Sequence, residues 1–581
     1  MKKLVFIFLG LFFLSFGMRA QEKVVKLKIV QTSDIHGNYY PYDFKTRKDY
    51  EGSLARVYSF VEKKREQYKE NLILIDNGDI LQGQPTSYYY NYIDTLSPHL
   101  CAEMMNYMKY DVGNMGNHDV ETGHAVFDRW TKDCNFPVLG ANIIDVKTDK
   151  PYFPPYKVLI RDGVKIVVLG MITPAIPVWV PESRWKGLRF DDMEKTAKKW
   201  MKIIREKENP DLVIGLFHSG QDALKLSGKY NENASLNVAK RIPGFDIVLI
   251  GHDHLNDCKK VVNVAGDSVL IMDPAKNGGL VSDIDVTLQL ENGKVRSKRI
   301  EGVLTKTHGY GINQDFMTHF HSQYEKVNDF VSKEIGLFTS GFTIRSSFFG
   351  PSAFIDLIHT LQLDITGADI SFTAPFSLNA RIEKGDVYIG DMFNLYKYEN
   401  ILYVMELSGK EIKDYLEMSY YLWTHQMKSP SDNLLLFREG ADKVKGGDRD
   451  LFQNFSFNFD SASGIIYTID VTKPKGKKIT IISMADGSPF YMHKMYKVAL
   501  NSYRGNGGGE LLTKGAGIPQ NKLKERIIHS TAKDLRYYLI KYIEKKRVIT
   551  PKALNQWKFI PEEWAIPAAK RDYNFLFGDS L

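Results

Sequence analysis

The segment FDIVLIGHDHLND, residues 245–257, joins the pattern of a buried strand to two histidines. Its apolar run stops at Gly251, and His252 and His254 follow with one residue between them. A short run rich in Val, Ile and Leu and bounded by Gly or Asp is typical of a strand buried in a sheet. Taken alone, the two histidines fit an ordinary polar turn at the end of that strand. Whether they bind anything depends on what the rest of the chain places beside them.

The first half of the chain repeats this strand pattern in alternation with helical patterns. In LARVYSFVEKKREQY, residues 54–68, the apolar side chains recur at helical spacing. Alternating strands and helices predict an α/β domain in which helices cover a sheet, over residues 21–312. The other predicted strands have the sequences KLKIVQTSD, NLILIDNGD, FPVLGANI, KIVVLGMIT and DLVIGLFHSG.

The second half has a different pattern. Residues 313–336 are polar with helical spacing, which predicts a linker helix. Residues 337–550 mix helices such as SAFIDLIHTLQLDI with strands such as ILYVMELSG, which predicts an α+β domain. Residues 551–581 form an aromatic, proline-containing C-terminal extension whose packing the sequence does not define.

The N-terminus has the layout of a secretory signal over residues 1–20. Lys2 and Lys3 precede an apolar run at 4–16, and Ala20 offers a small residue for cleavage. Thirteen apolar residues are short for a membrane span, which needs about 20, although an uncleaved anchor stays open. We therefore expect an exported protein, periplasmic or at the cell surface, with no stable membrane span after cleavage.

Composition narrows the class of protein. The 581 residues are 43% hydrophobic and 25% charged, as in a soluble globular chain of more than one domain. The formal charge of +8 is mild for this length, so it suits anionic substrates without predicting a nucleic-acid polymer as partner. Three cysteines, Cys101, Cys134 and Cys258, exclude a disulfide scaffold, although one disulfide stays open.

Side chains of the kinds that bind metals follow most of the predicted strands of the first half. In open α/β sheets, ligands bind in the crevice at the carboxyl ends of the strands. Each motif alone fits a turn, but five such motifs at strand ends in one domain predict a metal site. The residues are Asp34 and His36 in IVQTSDIHG, Asp79 in ILIDNGDILQG, Asn117 and His118 in NMGNHDVETG, His218 in IGLFHSG, and His252 and His254 in LIGHDH.

The types and number of these residues indicate the chemistry. Carboxylate, imidazole and amide oxygen suit zinc, manganese or iron rather than calcium. There are too many for one tetrahedral site, so we expect two divalent ions about 3.5–4 Å apart, zinc or manganese before others. Two such ions activate water and stabilise the leaving oxygen in a displacement at phosphorus.

Taken in order, TSDIHG, NGDILQG, GNHDVE, FHSG and GHDH resemble the motifs of the calcineurin-like metallophosphatases. They are most similar to the exported bacterial 5′-nucleotidase and 2′,3′-cyclic-nucleotide 2′-phosphodiesterase family, over about residues 25–530. The resemblance implies a four-layered β-sandwich flanked by helices, followed by an α+β substrate-specificity domain. It implies a first metal site of Asp34, His36, Asp79 and His254, and a second of Asp79, Asn117, His218 and His252, with Asp79 bridging.

The resemblance gives His118 a catalytic role rather than a metal. That histidine would stabilise the transition state or protonate the leaving oxygen. Many nucleotidases of this family carry an Asp three residues later that orients the histidine, and here the position is Glu121. We expect Glu121 to take that part, with the adjacent Asp119 as the residue most easily mistaken for it.

Two glycine-flanked motifs of the second half predict base recognition. FNFDSASGIIYTID carries Phe457 and Phe459, and NSYRGNGGGE carries Tyr503. Aromatic rings can sandwich a base, since every base has a π-face. Strand alternation would place Phe455 on the same face as Phe457 and Phe459, so that one or two of them belong to the core. The resemblance makes Phe459 and Tyr503 the base-stacking pair.

The same resemblance makes Arg381 a candidate phosphate-binding residue, with a surface ion pair to Glu383 or Asp386 as the alternative. Typical 5′-nucleotidases carry a ribose-binding Asp where this chain has Gly509, which favours the cyclic phosphodiesterase/3′-nucleotidase branch.

We therefore predict a two-metal phosphohydrolase of nucleotides in which a metal-activated water attacks phosphorus. The alternatives are a 5′-nucleotidase, a nucleotide-sugar hydrolase, or an exported nucleotide-binding protein with a vestigial metal site. The sequence leaves the base preference and the oligomeric state open.

Overall fold

The structure is a computed structural model that describes residues 22–221, 230–441 and 451–578. The predicted signal at residues 1–20 lies outside the described residues. Within the described ranges, no helix combines the length and the apolar character that crossing a membrane requires.

The N-terminal domain alternates strands and helices as the sequence predicts. The segment at residues 54–68 is a helix over its whole length, capped by the Ser53 side chain, which accepts a hydrogen bond from the Arg56 amide. The predicted strand FPVLGANI is broken into two short pieces.

The strands are β1 (Glu22–Thr32), β2 (Tyr42–Asp43), β3 (Lys48–Asp49), β4 (Leu72–Asp76), β5 (Gly113–Asn114), β6 (Val138–Leu139), β7 (Ile143–Asp145), β8 (Lys150–Pro151), β9 (Tyr156–Arg161), β10 (Val164–Ile172), β11 (Leu188–Phe190), β12 (Leu212–His218), β13 (Ile247–Ile250), β14 (Asn256–Val262), β15 (Ser268–Pro274), β16 (Leu280–Glu291) and β17 (Lys294–Lys306). The helices are α1 (Leu54–Tyr68), α2 (Pro85–Tyr88), α3 (Leu100–Tyr107), α4 (Asn117–Glu121), α5 (His124–Asp133), α6 (Ile176–Trp179), α7 (Met193–Lys207) and α8 (Ser235–Arg241).

Two sheets form the centre of this domain. One has the strand order β17-β16-β1-β4, and the other has the order β14-β15-β13-β12-β10-β9. Strands β10, β12, β13 and β15 pair in parallel, so their carboxyl ends meet at one edge of the sheet. Apolar side chains of both sheets, such as Ile29 and Ile73 of one and Ile214 and Leu249 of the other, share one buried cluster.

Helices cover the outer faces of both sheets. Residues of α1, α3 and α5 pack beside Val30 and Leu74 of the first sheet, and α7 and α8 pack beside Val167 and Val248 of the second. The order helix, sheet, sheet, helix confirms the predicted four-layered α/β sandwich, because each sheet buries one face on its partner and the other on helices.

The predicted linker helix at 313–336 is instead two helices, α9 (Gln314–His319) and α10 (His321–Val331), interrupted at Phe320. Phe316, Phe320 and Val327 belong to the core cluster beneath the first sheet. The Tyr40 hydroxyl donates to the Phe320 carbonyl at 2.9 Å. Both helices therefore pack on the N-terminal domain, and the next segment, from Glu334, is already a strand of the C-terminal domain.

The C-terminal domain is α+β, as predicted. Its largest sheet has the order β24-β20-β27-β23-β28, and two three-stranded sheets, β22-β18-β29 and β26-β25-β30, lie beside it. The strands are β18 (Glu334–Phe338), β19 (Phe342–Thr343), β20 (Ile370–Thr373), β21 (Arg381–Ile382), β22 (Gly385–Tyr388), β23 (Ile401–Ser408), β24 (Ser461–Ser463), β25 (Ile465–Asp470), β26 (Ile479–Met484), β27 (Met495–Asn501), β28 (Ile527–Asp534), β29 (Val548–Ile549) and β30 (Trp557–Ile560). The helices are α11 (Ala353–Thr366), α12 (Met392–Leu395), α13 (Gly409–Trp423), α14 (Ser502–Gly505), α15 (Leu535–Lys546) and α16 (Glu562–Phe577).

The described part of the C-terminal extension is integral to this domain. Strand β30 pairs in parallel with β25. Trp557 is 5% exposed, and its ring centroid lies 5.8 Å from that of Trp423 and 6.1 Å from that of Tyr467. The Asp572 carboxylate of α16 accepts the amides of Leu434 and Leu435 at 2.8 Å each. The described part of the extension therefore contributes side chains to the core of the C-terminal domain.

The two domains meet through buried polar contacts. The Tyr92 hydroxyl of the N-terminal domain donates to Glu399 at 3.0 Å, and Arg536 lies 3.8 Å from the same carboxylate. The Tyr88 hydroxyl donates to Asp534 at 3.2 Å. These contacts place α2 and the helical turn after it against Asp534 at the end of β28 and against Glu399 just before β23.

We expect Trp557→Ala to lower the free energy of unfolding by about 3–5 kcal/mol, because it leaves a cavity among buried aromatic rings. Urea denaturation measures the change. Val548→Ala, at a side chain 59% exposed in the neighbouring strand β29, serves as the control. Equal, small effects of the two substitutions would contradict the assignment of the extension to the core.

Candidate metal centre and nucleotide pocket

The predicted metal ligands lie where strands of both sheets end. Asp34 and His36 follow β1, and Asp79 follows β4, in the first sheet. In the second sheet, His218 is the last residue of β12, and His252 and His254 follow β13. Asn117 is the first residue of α4. The ligands therefore come from separate parts of the chain and meet at one edge of the sandwich.

The backbone is strained at these positions. Asp34, His36, Asp79, His252 and His254 all have positive φ angles, between 51° and 80°. For residues other than glycine this left-handed conformation is uncommon. It costs on the order of 1–3 kcal/mol per residue and clusters at functional sites. Strain at five predicted ligands indicates that the fold holds their side chains in one fixed arrangement.

Gly251 allows the close approach of the two sheets at this edge. A Cβ atom there would lie 2.2 Å from the Ser33 hydroxyl and 2.8 Å from an Asp34 carboxylate oxygen. With hydrogen in that place, the His252 amide lies 3.2 Å from the Asp34 carboxylate. The glycine of the opening segment thus sets the position of the histidines that follow it.

The first ligand group consists of Asp34, His36 and His254. The Nε2 atoms of His36 and His254 lie 3.0 Å apart, and they lie 3.8 Å and 3.2 Å from the Asp34 Oδ1 atom. The point equidistant from the three atoms is about 2 Å from each, and zinc binds nitrogen and carboxylate oxygen at about 2.0–2.2 Å. These three residues fit a divalent metal ion.

The second ligand group consists of Asp79, His218 and His252. The Nε2 atom of His218 lies 3.1 Å from Asp79 Oδ2 and 3.1 Å from Asn117 Oδ1, and His252 Nδ1 lies 2.7 Å from the same amide oxygen. The structure thus brings Asn117 into this group as the resemblance implies. Asp79 belongs to the second group by distance, and its bridging role stays a prediction.

Polar groups behind the histidines fix the orientation of their rings. His36 Nδ1 contacts the Gln82 carbonyl at 3.1 Å, and His218 Nδ1 contacts the Asn77 carbonyl at 2.7 Å. His252 Nε2 lies 3.0 Å from the Glu232 carboxylate. Such partners keep the opposite ring nitrogen free for a metal. Glu232 is not among the predicted site residues, because it ends no predicted strand; the acidic residue in NENAS is its only signal in the sequence.

The charges of the site shift the pKa values of its members. Burial lowers the pKa of His36 to about 3, and the facing His254 adds to the effect. Burial also lowers the pKa of His218, but Asp79 and Asp34 outweigh it and raise the pKa to about 10. Burial raises the pKa of Asp34, but His218 and His254 outweigh it and hold the pKa below its ordinary value. Imidazole binds metal in its neutral form, so a metal ion at His218 would compete with a proton.

His118 lies beside the two groups and contacts Glu121, as predicted. Its Nδ1 lies 2.7 Å from the Glu121 carboxylate, and its ring centroid lies 5.5 Å from that of His36. Burial lowers the pKa of His118, but Asp79 and Glu121 outweigh it and raise the pKa to about 9. The Gln82 amide donates to the same Glu121 oxygen at 3.0 Å. Glu121 therefore contacts the His118 ring directly and helps to raise its pKa.

Asp119 has a different part. Its carboxylate accepts the backbone amides of Asp79, Ile80, Leu81 and Gly116 at 2.8–3.0 Å, and it is fully buried. It therefore fixes the loop that carries Asp79 and does not contact the His118 ring through any described hydrogen bond.

The structure corrects the predicted base-stacking pair. Phe459 is 0% exposed, and its ring stacks on Trp423 at 5.6 Å inside the core. Residues 456–458 form a 3-10 turn and not a strand, so alternation does not apply. Phe457 is partly exposed, and its ring contacts Tyr503 edge to face, with centroids 6.1 Å apart. Phe457 also stacks on Phe455, with ring centroids 5.1 Å apart. We call Phe457 and Tyr503 the aromatic pair, because each comes from one of the two glycine-flanked motifs.

Arg381 pairs with a neighbour. Its guanidinium lies 2.6 Å from the Glu383 carboxylate, and its side chain is 68% exposed. The structure thus shows the surface ion pair that was the alternative to phosphate binding.

A chain of contacts links the aromatic pair to the metal ligands. The indole of Trp179 stacks on the His252 ring with centroids 5.7 Å apart. The Asn506 side-chain amide donates to the Trp179 carbonyl at 3.3 Å, and Asn506 lies three residues from Tyr503. A residue of the C-terminal domain close in sequence to Tyr503 thus contacts Trp179, which stacks on a residue of the second ligand group.

Two family profiles match the chain, one for each domain. Residues 27–256 match the calcineurin-like phosphoesterases, and residues 330–514 match the 5′-nucleotidase C-terminal domain. The first profile implies divalent metal ions, in agreement with the two ligand groups.

Similar proteins share most of the chain. A 2′,3′-cyclic-nucleotide 2′-phosphodiesterase/3′-nucleotidase of Yersinia enterocolitica is 26% identical over 93% of this chain and 89% of its own length. A trifunctional nucleotide phosphoesterase of Bacillus subtilis is 28% identical over 92% of this chain, which spans 39% of that longer protein. A Staphylococcus aureus structure assigned as a 5′-nucleotidase, in complex with alpha-ketoglutarate, is 23% identical, covers 92% of this chain and 100% of its own, and has a TM-score of 0.74, which supports the fold.

We expect His252 and His254 to hold different ions. A chain with both His252→Ala and His254→Ala should then bind no ion tightly. A chain with both His218→Ala and His252→Ala should keep one, because those two residues belong to one group. Metal content per chain, measured after dialysis, separates the pairs. Equal metal content in the two double variants would refute the assignment.

We expect Glu121→Ala to lower kcat about 10–100-fold with metal content unchanged, because it only releases the His118 ring. Asp119→Ala should instead lower both stability and metal content, since it frees four buried amides next to Asp79. Phosphatase assays, thermal unfolding and metal analysis on both variants test the difference. The same pattern of losses in the two variants would show that the two carboxylates do not have separate parts.

Proposed function

We propose that this protein is a metal-dependent hydrolase of nucleotide phosphate esters. The chain belongs to the calcineurin-like phosphoesterases and has a 5′-nucleotidase C-terminal domain. The observation that carries the proposal is the pair of ligand groups beside His118. Asp34, His36 and His254 form one group, and Asp79, His218 and His252 form the other. When bound, two divalent ions in such groups lower the pKa of water and neutralise charge on a phosphoryl group.

The side chains around the ions divide the remaining work. The Glu121 carboxylate accepts a hydrogen bond from His118 Nδ1 at 2.7 Å, which leaves Nε2 of the same ring for the substrate. A proton at Nε2 can be given to the leaving oxygen, which is general acid catalysis and contributes about 10²–10⁴-fold in rate. The His118 amide donates to Asp79 at 2.8 Å, so the acid and a metal ligand keep a fixed separation.

The C-terminal domain supplies base recognition in this proposal. Phe457 and Tyr503 offer the aromatic faces, and the contacts through Asn506 and Trp179 bring them next to His252. A nucleotide with its base on this pair would reach the ligand groups with its phosphate. The substrate therefore lies between the two domains.

We favour the 2′,3′-cyclic-nucleotide 2′-phosphodiesterase/3′-nucleotidase reaction. The Yersinia relative and a Salmonella typhimurium protein of the same name, 28% identical over 92% of this chain, are similar across both domains. In the sequence comparison, relatives called 5′-nucleotidase match less of the chain, 42% for one from Vibrio cholerae and 69% for one from Vibrio vulnificus. A 5′-nucleotidase is the second candidate, because the C-terminal family profile carries that name.

Two further properties belong to this proposal. We assign zinc or manganese to the site, because imidazole, carboxylate and amide oxygen are combined there. We assign export, because residues 1–20 have the layout of a secretory signal.

The substrate test compares kcat/KM for 2′,3′-cyclic AMP, adenosine 3′-phosphate, adenosine 5′-phosphate and UDP-glucose. We expect the first two to be preferred, and we expect His118→Ala to lower kcat by about 10²-fold or more with metal retained. Preference for the 5′-phosphate would support the second candidate instead. Full activity of the His118 variant would remove the role of that residue.

A further inference from the structure

Arg504 is a buried guanidinium in the C-terminal domain that the reaction proposed above does not use. Its side chain is 1% exposed. It makes a two-point ion pair with Asp460, from Nε at 3.1 Å and from Nη2 at 2.8 Å. Arg504 follows Tyr503 directly in the chain, and its guanidinium lies 5.4 Å from the centroid of the Tyr503 ring.

The same guanidinium joins the two segments that carry the aromatic pair. It donates to the Phe457 carbonyl at 2.8 Å and to the Asn458 side-chain oxygen at 3.0 Å. On the other side it donates to the Gly508 carbonyl at 2.6 Å. One side chain thus connects the turn at Phe457 with the glycine-rich turn after Tyr503.

The contacts of Arg504 fix the relative positions of the two turns more than they add to the folding stability of the domain. A buried ion pair gains little over an apolar pair of the same size, because the loss of hydration offsets the Coulomb attraction. A planar guanidinium with several donors, however, fixes the directions and separations of its acceptors. Lysine has one donor atom and cannot reproduce that arrangement.

Gly509 leaves the space that Arg504 occupies. A Cβ atom at residue 509 would lie 2.2 Å from Arg504 Nη1 and 2.2 Å from the Asn458 side-chain oxygen, and the φ of +70° there also favours glycine. Arg504 and Asn458 therefore fill the place of any side chain at residue 509. The position of the Arg504 side chain thus depends on the absence of a side chain at Gly509.

We propose that Arg504 is a positioning residue for base recognition, which fixes the turn that carries Phe457 relative to the turn that follows Tyr503. The proposal rests on the proposed function, since it deepens the part of the C-terminal domain. Arg504 touches neither the ions nor the phosphate in this account, so its replacement affects substrates only through their base.

The test compares Arg504→Lys with the wild-type enzyme on a substrate with a base and on one without. For adenosine 3′-phosphate we expect KM to rise about tenfold or more with kcat little changed, the loss that follows when base stacking fails. For glycerol 2-phosphate, which has no ring, we expect the same kcat/KM as in the wild type. Adenosine binding, measured by calorimetry, should weaken in parallel with the rise in KM.

Glu417→Gln serves as the matched control. Glu417 is a buried charge of the same domain that accepts the amides of Gly476, Lys478 and Ile479. It has no described hydrogen bond to the aromatic pair, so its loss lowers stability without changing base selectivity. Asn458→Ala, which removes one bond to Arg504, is the milder variant if Arg504→Lys does not fold; it should raise KM for the nucleotide in the same direction.

An equal loss of activity on both substrates, or an unchanged KM for the nucleotide, would overturn the proposal. Adenosine affinity separates this outcome from failure of the proposed function. If the wild type hydrolyses no nucleotide, the proposed function fails, whereas unchanged adenosine affinity in the Arg504 variant refutes the positioning role alone.

Discussion

The buried carboxylates of Asp34 and Asp79 set the conditions for the rest of the molecule. Both are at most 1% exposed, and ionised groups in such places need partners of opposite charge. The partners are the imidazoles of His36, His218, His252 and His254. A close glycine contact and the carbonyl and carboxylate groups behind the rings hold them in place. A cation in each ligand group would satisfy both carboxylates and allow the histidines to be neutral. The double sheet is what brings these segments to one edge.

The proposed reaction also requires a selective contact with the substrate, and the residues proposed for that contact belong to the C-terminal domain. Buried polar contacts through Tyr92, Glu399 and Arg536 fix the domains to each other. Asn506 and Trp179 connect the aromatic pair to the second ligand group. Chemistry and recognition are thus separate in sequence and adjacent in space. In the proposed function, the turn around Arg504 serves recognition of the base and the loop fixed by Asp119 serves the reaction.

Sequence patterns correctly predicted the features that depend on residues close together in the chain. The α1 helix and the strand ends with their ligands follow from hydrophobic periodicity and from the rule that strand ends converge. The parts that depend on distant packing were not predictable. The family resemblance assigned Phe459 to base stacking, whereas the 3-10 turn before it leaves its ring stacked on Trp423 in the core. The pairing of β30 with β25 joins segments far apart in the chain, and no local pattern indicates such a partner. Glu232 contacts His252 only because the fold brings its loop there.

Anomalous diffraction from crystals grown with manganese tests the central claim most directly. The account predicts two anomalous peaks about 3.5–4 Å apart, one among Asp34, His36 and His254 and the other among Asp79, Asn117, His218 and His252, with Asp79 in contact with both. A single peak, or peaks that lie away from these side chains, would contradict it.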